Sequence, residues 1–170
     1  MKSTDPKMKE YLYDFSGENT LVCPPGVDLL PLLKQEITKL DACGKSIICT
    51  DKYFYVTNNQ VALENDIVDL VKQSGVKLFI ICTPKNNVTS ESSIAAKLQA
   101  NGVSICKKVA NHPALFHDRY WICPETNKGI STGSSVNIPS DQVCSIYEMP
   151  QKDVSEILAI CVSEGVWSAT

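Results

Sequence analysis

The order of apolar segments predicts an α/β fold, a layered mixed β-sheet flanked by helices. Between residues 45 and 106 strand-like and helix-like segments alternate, which favours parallel strands joined by crossover helices. After them, residues 116–123 alternate in the period of a strand and run into turn residues, so a hairpin adds an antiparallel portion.

Residues 1–20 are polar and mixed and read as an N-terminal arm, in which Tyr11, Tyr13 and Phe15 alternate as a short edge strand would. Residues 21–170 read as one domain. Cys23, Pro24, Pro25 and Gly26 form a turn, after which Asp28 caps a helix with an apolar stripe of Leu29, Leu30, Leu32, Leu33, Ile37 and Leu40. Pro31 sits in its first turn, where no backbone donor is lost, and Gly44 closes the region. Residues 45–50 suit a buried strand, with residues 51–55 as its exit loop. A second helix covers 61–74, with Leu63, Ile67, Val68, Leu70 and Val71 inward, and Gly75 ends it. Residues 76–83 (VKLFIICT) are nearly continuous in apolar side chains, as a strand buried on both faces would be. Thr89 or Ser90 caps a third helix over 91–100, and 103–106 begin the next strand. Residues 143–147 suit a further strand, and Asp153 caps a last helix ended by Gly165.

At 170 residues the chain can bury a real core, and 44% hydrophobic with 21% charged residues is ordinary for a globular protein. A net charge of -3 exerts no global pull toward nucleic acid or anionic membrane, so any phosphate binding must be local. Lys107, Lys108, Arg119 and Lys128 are close enough in sequence to form such a patch. No apolar run approaches the ~20 residues that span a bilayer, no signal peptide pattern opens the chain, and a cytoplasmic location is the expectation. The eight cysteines form no C-x-x-C pair; they read as buried thiols, without a metal site and without any other cofactor.

The chemistry concentrates in His117, Asp118, Arg119 and Tyr120, and in Gly133, Ser134, Ser135, Val136 and Asn137. Strand alternation puts His117, Arg119, Trp121 and Cys123 on one face and Asp118, Tyr120 and Ile122 on the other. With turn residues at 124–129, the 133–137 segment becomes the hairpin partner and brings His117, Arg119, Ser135 and Asn137 together. A nucleophile or base, a cation and neutral hydrogen-bond groups suit a cluster of phosphate oxygens. A solvated hairpin with a hydrogen-bonded histidine is the plainer alternative. Ligands in open α/β sheets collect beyond the carboxyl ends of parallel strands, so Thr50–Asp51, Thr83–Pro84 and the His117 hairpin are expected to meet.

Over residues 27–165 the chain resembles the phospholipase D-like superfamily, in particular small single-copy domains with an H-D-R-[YF] strand and a G-[AS]-S partner. The resemblance implies a phospholipase D-like half-domain. Active members carry H-x-K-x(4)-D, in which a histidine attacks a phosphodiester and a second histidine, from a repeat or a dimer mate, protonates the leaving group. Carried over, His117 matches the nucleophile and Arg119 takes the lysine position. Ser135 and Asn137 match oxygen ligands, although Asn137 is displaced by one residue, which on a strand turns a side chain to the other face. The acidic position falls on Pro124. Glu125, one residue beyond, would have to be brought back by the turn, and His112 is a further supporting candidate, held extended by Pro113.

These residues favour a degenerate domain that recognises a phosphate-containing ligand (nucleic acid, nucleotide or lipid headgroup) with little or no turnover. One alternative is a metal-independent phosphodiesterase or nuclease acting as a homodimer through a His117 phosphohistidine. Another is a non-catalytic dimerisation scaffold anchored by Tyr120 and Trp121.

Overall fold

The computed structural model describes residues 12–15, 18–23, 25–26, 28–55, 61–84, 87–112, 115–116, 118–133 and 144–168. Its strands are β1 (Leu12–Phe15), β2 (Glu18–Cys23), β3 (Ser46–Thr50), β4 (Leu78–Cys82), β5 (Ser104–Lys108), β6 (Arg119–Cys123), β7 (Lys128–Thr132) and β8 (Cys144–Glu148). The helices are α1 (Leu29–Thr38), α2 (Val61–Gln73), α3 (Val88–Ala100) and α4 (Gln151–Ser163). No helix among the described residues is long and apolar enough to cross a membrane.

The strands form one sheet in the order β1-β2-β8-β7-β6-β3-β4-β5. β3, β4 and β5 run parallel, in register Ile48 to Ile80 to Cys106. β6 lies antiparallel beside β3, and from there to β1 every pair is antiparallel. The predicted mixed α/β sheet is therefore present. β1 and the first residues of β2 pair within it, although they fall in the stretch read as an arm.

Local chemistry accounts for the boundaries. Asp28 caps α1 by accepting from the Leu30 amide (3.0 Å), as its position before the leucine stripe predicts. α3 starts earlier than its spacing suggests, because Asn87 rather than Thr89 or Ser90 accepts from the Ser90 amide (3.2 Å). α4 likewise starts at Gln151, directly after Pro150, so Asp153 lies in its first turn instead of capping it. Cys49, Cys82, Cys123 and Cys161 are buried, and burial raises their thiol pKa values. Cys43 is exposed, contrary to the reading of all the thiols as buried.

Strand alternation decides the layers. Ile47, Cys49, Phe79, Ile81, Trp121 and Cys123 point to one face and pack with the inner stripes of α1, α2 and α3. Ile48, Ile80, Cys82 and Ile122 point to the other, under Val154 and Cys161 of α4. On that face Gly129 lets α4 approach β7 closely; a Cβ there would stand 3.0 Å from Val154 Cγ2. On the first face, Trp121 lies stacked on Phe79 (5.7 Å between centroids) and near Phe54 (6.3 Å). Trp121 is fully buried, so it is a core residue and not the interface anchor of the scaffold reading. Its Nε1 has no hydrogen-bond partner among the described residues.

The connection from β5 to β6 is fastened to the end of α4. The His112 amide donates to Glu164 Oε2 (2.7 Å), and His112 Nδ1 lies 2.9 Å from Oε1 of the same carboxylate. Asn111 N–H donates to the Glu164 carbonyl (3.3 Å). The hydrogen bonds from the His112 ring and amide hold the Glu164 carboxyl below the usual carboxylate range.

Two outcomes are expected. Trp121→Ala should lower unfolding free energy by about 3–5 kcal/mol in denaturant titrations, as for other buried tryptophans, and Trp121→Phe should cost less. Because Glu164 titrates lower in the folded than in the unfolded chain, its contribution is present above ~4.3, the unfolded value. That contribution is lost as pH falls through the folded value. The melting temperature of the wild type should therefore exceed that of Glu164→Gln at neutral pH, and the gap should close in acid.

A candidate phosphate site at the carboxyl ends of the parallel strands

β6 runs against β3, so its first residue lies at the end of the sheet where β3, β4 and β5 finish. Thr50 pairs with Tyr120, and Arg119 pairs across the hairpin with Thr132. Alternation from Trp121 places Arg119 on the face of the three packed helices. There its Nε lies 4.0 Å from Oδ1 of Asp51, the first residue beyond β3. The Asp51 side chain is 1% exposed and that of Arg119 14%. Arg119 Nε is buried and has no hydrogen-bond partner among the described residues.

The surroundings are held by backbone and hydroxyl bonds. Thr50 Oγ1 accepts from the Tyr120 amide (3.0 Å) and bonds the Asp118 carbonyl (3.4 Å), which locks the entry of β6 onto the end of β3. Asp51 Oδ1 accepts from the Tyr53 amide (2.9 Å), and Thr83 Oγ1 donates to the Lys52 carbonyl (3.0 Å). The Tyr53 ring centre is 6.0 Å from Arg119 Cζ and 5.5 Å from Lys52 Nζ. Beside them, Lys107 Nζ bonds Glu91 (2.8 Å) and lies 5.5 Å from the Tyr55 ring centre. Thr50–Asp51, Thr83 and the start of β6 thus share one end of the sheet, as the strand-end rule anticipates.

The expected residues divide sharply. Arg119 stands at this end. His117, Ser135 and Asn137 lie outside the described residues. The hairpin itself differs from expectation: β7 is Lys128–Thr132, so the partner of β6 is not the 133–137 segment, which follows it. The turn is shorter than 124–129 because Asn127 adopts a positive φ of 51° and reverses the chain at once. Gly133 begins the following stretch, its amide donating to the Ser145 carbonyl of β8 (2.8 Å).

Glu125 is not brought near the start of β6. It sits in the turn at the opposite end, beyond about 14 Å of strand. Its carboxylate oxygens accept from the Ser46 amide (3.1 and 3.2 Å), closing the N-terminal end of β3. Thr126 bonds the Leu40 carbonyl (2.8 Å) and Lys128 pairs with Asp41, so that end of the hairpin is structural. His112 is engaged with Glu164 on the α4 side. Tyr120 is half-buried and donates to Asp118 Oδ2 (3.3 Å); burial, with Asp118 nearby, pushes its hydroxyl up to about 12. The contributors that the sequence reading missed are Tyr53 and Glu91; Lys107 is one of the cations expected in a local patch, whereas Lys128 of that patch lies at the opposite end, paired with Asp41. Only the position of residues 51–55 as a strand exit pointed to Tyr53.

No protein-family model and no curated protein matches the chain. Among solved structures it is similar to polyphosphate kinase from Porphyromonas gingivalis, with a TM-score of 0.57 and 9% identity. That match covers 100% of this chain but 28% of the kinase, so the chain spans under a third of that protein. It is also similar to Nuc, a phospholipase D family member from Salmonella typhimurium, with a TM-score of 0.53 and 15% identity over 86% of this chain and 93% of Nuc. Together with the mixed sheet and its two helical layers, these likenesses establish that the chain has a phospholipase D-like fold.

Proposed function

We propose that this domain recognises a phosphate-containing ligand at the carboxyl ends of β3 and β4, with Arg119 meeting the phosphate and with little or no turnover. The supporting observation is Arg119 Nε, a buried donor without a hydrogen-bond partner among the described residues. Leaving a buried donor unpaired costs ~1–3 kcal/mol, and more when it is charged. An anionic oxygen removes that penalty and adds a charge-assisted bond, for which a planar guanidinium is well shaped. By motif position, His117, Ser135 and Asn137 complete the proposed set. Turnover is disfavoured because Pro124 stands at the acidic position and Glu125 is bound to Ser46. The alternative, a homodimeric phosphodiesterase working through a His117 phosphohistidine, differs from this reading in a measurable rate.

Titration with inorganic phosphate and a short phosphodiester, followed by NMR, tests the binding. Arg119→Ala should weaken affinity ~10- to 100-fold, as expected for losing a hydrogen bond to a charged group, and Arg119→Lys should keep part of it. Thermal melts separate this from unfolding, since the alanine variant leaves Asp51 buried without its cation. Unchanged affinity in folded Arg119→Ala for every ligand would retire the reading. In metal-free assays with bis(p-nitrophenyl) phosphate, wild type and His117→Ala should give the same background rate. A faster wild type would favour the phosphodiesterase.

A further inference from the structure

We infer that the groove between the β4–β5 edge of the sheet and the end of α4 binds a medium-chain fatty acid, its acyl chain on the apolar floor and its carboxylate at Lys108. The groove lies on the α4 face, across the sheet from Arg119, and does not rest on the phosphate reading. Among the described residues three helices pack on the other face, while α4 alone packs on this one, against Ile122, Ile48 and Ile80. β5 is the edge strand, and on this face the sheet beside it is left open. The opening measures about 690 Å³, within the roughly 300–1,000 Å³ of small-molecule sites. Leu78, Ile80 and Cys106 form its floor, and Val162, Val166 and Trp167 line its other side. Leu78, Cys106 and Trp167 are half-buried and Val162 is 47% exposed, so apolar surface here meets water, and covering it is favourable.

Lys108 is the one charged residue among those that line the groove. It follows Cys106 by two residues in β5, so alternation turns it to the same face, whereas Lys107 turns to the other and pairs with Glu91 of α3. The register sets Leu78 beside Ser104 and Cys82 beside Lys108. The apolar floor therefore runs about 13 Å along the strands, with the ammonium at one end. Lys108 forms no ion pair among the described residues. Glu164, at the end of α4, gives one carboxylate oxygen to the His112 amide and the other to its ring.

An apolar trough with one cation at its end selects an amphiphile that carries a single negative charge. A sugar or nucleotide would lay polar groups on Leu78 and Ile80, which offer them no hydrogen bonds. A dianionic phosphate ester would leave one of its charges unbalanced beside a single ammonium. A cationic amphiphile meets Lys108 with like charge. A carboxylate on an unbranched chain answers both the cation and the floor.

Calorimetric titration with decanoate below its micellar concentration tests the inference, with tryptophan fluorescence beside it. Wild type should bind decanoate roughly five- to tenfold more tightly than decanol, and decyltrimethylammonium more weakly still. Each methylene removed toward octanoate should weaken binding roughly two- to fourfold. Lys108→Gln should lower decanoate affinity to that of decanol and leave decanol unchanged, and Lys108→Arg should keep the preference. Decanoate should change the fluorescence of wild type but not of Trp167→Phe, whose remaining Trp121 lies in the core of the other face. Cys106→Phe fills the floor and should abolish binding; thermal melts check its folding, and the Lys108 variants decide the matter if it does not fold. No saturable decanoate binding, or equal decanoate affinity in wild type and Lys108→Gln, overturns the inference and leaves the phosphate reading intact. Binding that survives in folded Cys106→Phe, or is lost in folded Arg119→Ala, also overturns it. A dimer that Cys106→Phe breaks, seen by light scattering without decanoate binding, overturns it in favour of a second copy of the chain.

Discussion

The seam between β3 and β6 is the constraint on which the candidate site depends. It is where the parallel half of the sheet meets the antiparallel half, and each strand delivers one member of the Arg119–Asp51 pair. A one-residue slip at this seam would turn Arg119 to the α4 face and Trp121 out of its place against Phe79. Burying Trp121 therefore fixes the direction of Arg119 two residues away. Thr50 reinforces this by bonding both the Tyr120 amide and the Asp118 carbonyl, so the cation enters the site from a clamped backbone. The opposite end of the hairpin is closed by Glu125, Thr126 and Lys128, which leaves one end of β6 structural and the other open to chemistry.

How much the sequence reveals depends on how far each feature is local. β3 and β4 are almost wholly buried, so their continuous apolar runs are unmistakable, and the Asp28 cap of α1 directly precedes its leucine stripe. β2 is harder to see. Thr20, Leu21 and Val22 are half-buried in an antiparallel pair whose partner, β8, lies more than a hundred residues away. β7 eluded its register because Lys128, Gly129 and Ser131 look like turn residues, and only Asn127 reverses the chain. Glu125 shows the limit most clearly. Its nearness in sequence to the motif suggested support for His117, while the antiparallel strand carries it to Ser46, seventy-nine residues away along the chain.

The carboxylate beside Arg119 shapes what the site can bind. At 4.0 Å, opposite charges attract by about 4 kcal/mol at an effective dielectric near 20, before desolvation is subtracted. Asp51 thus cancels much of the Arg119 charge, and Glu91 does the same for Lys107. Little net positive field remains to draw an anion from a distance, in keeping with an overall charge of -3. Yet a 4.0 Å separation is too long for a hydrogen bond, so the guanidinium is balanced in charge without being used up in geometry. Such a pair holds an arginine in a half-buried position while its Nε has no hydrogen-bond partner among the described residues. Under the proposed phosphate reading, affinity comes from short-range, directional bonds at Arg119 rather than from electrostatic capture. On that reading a ligand that offers only diffuse charge gains little here, whereas one that brings an anionic oxygen within hydrogen-bond distance of Arg119 Nε meets a donor that has no partner among the described residues.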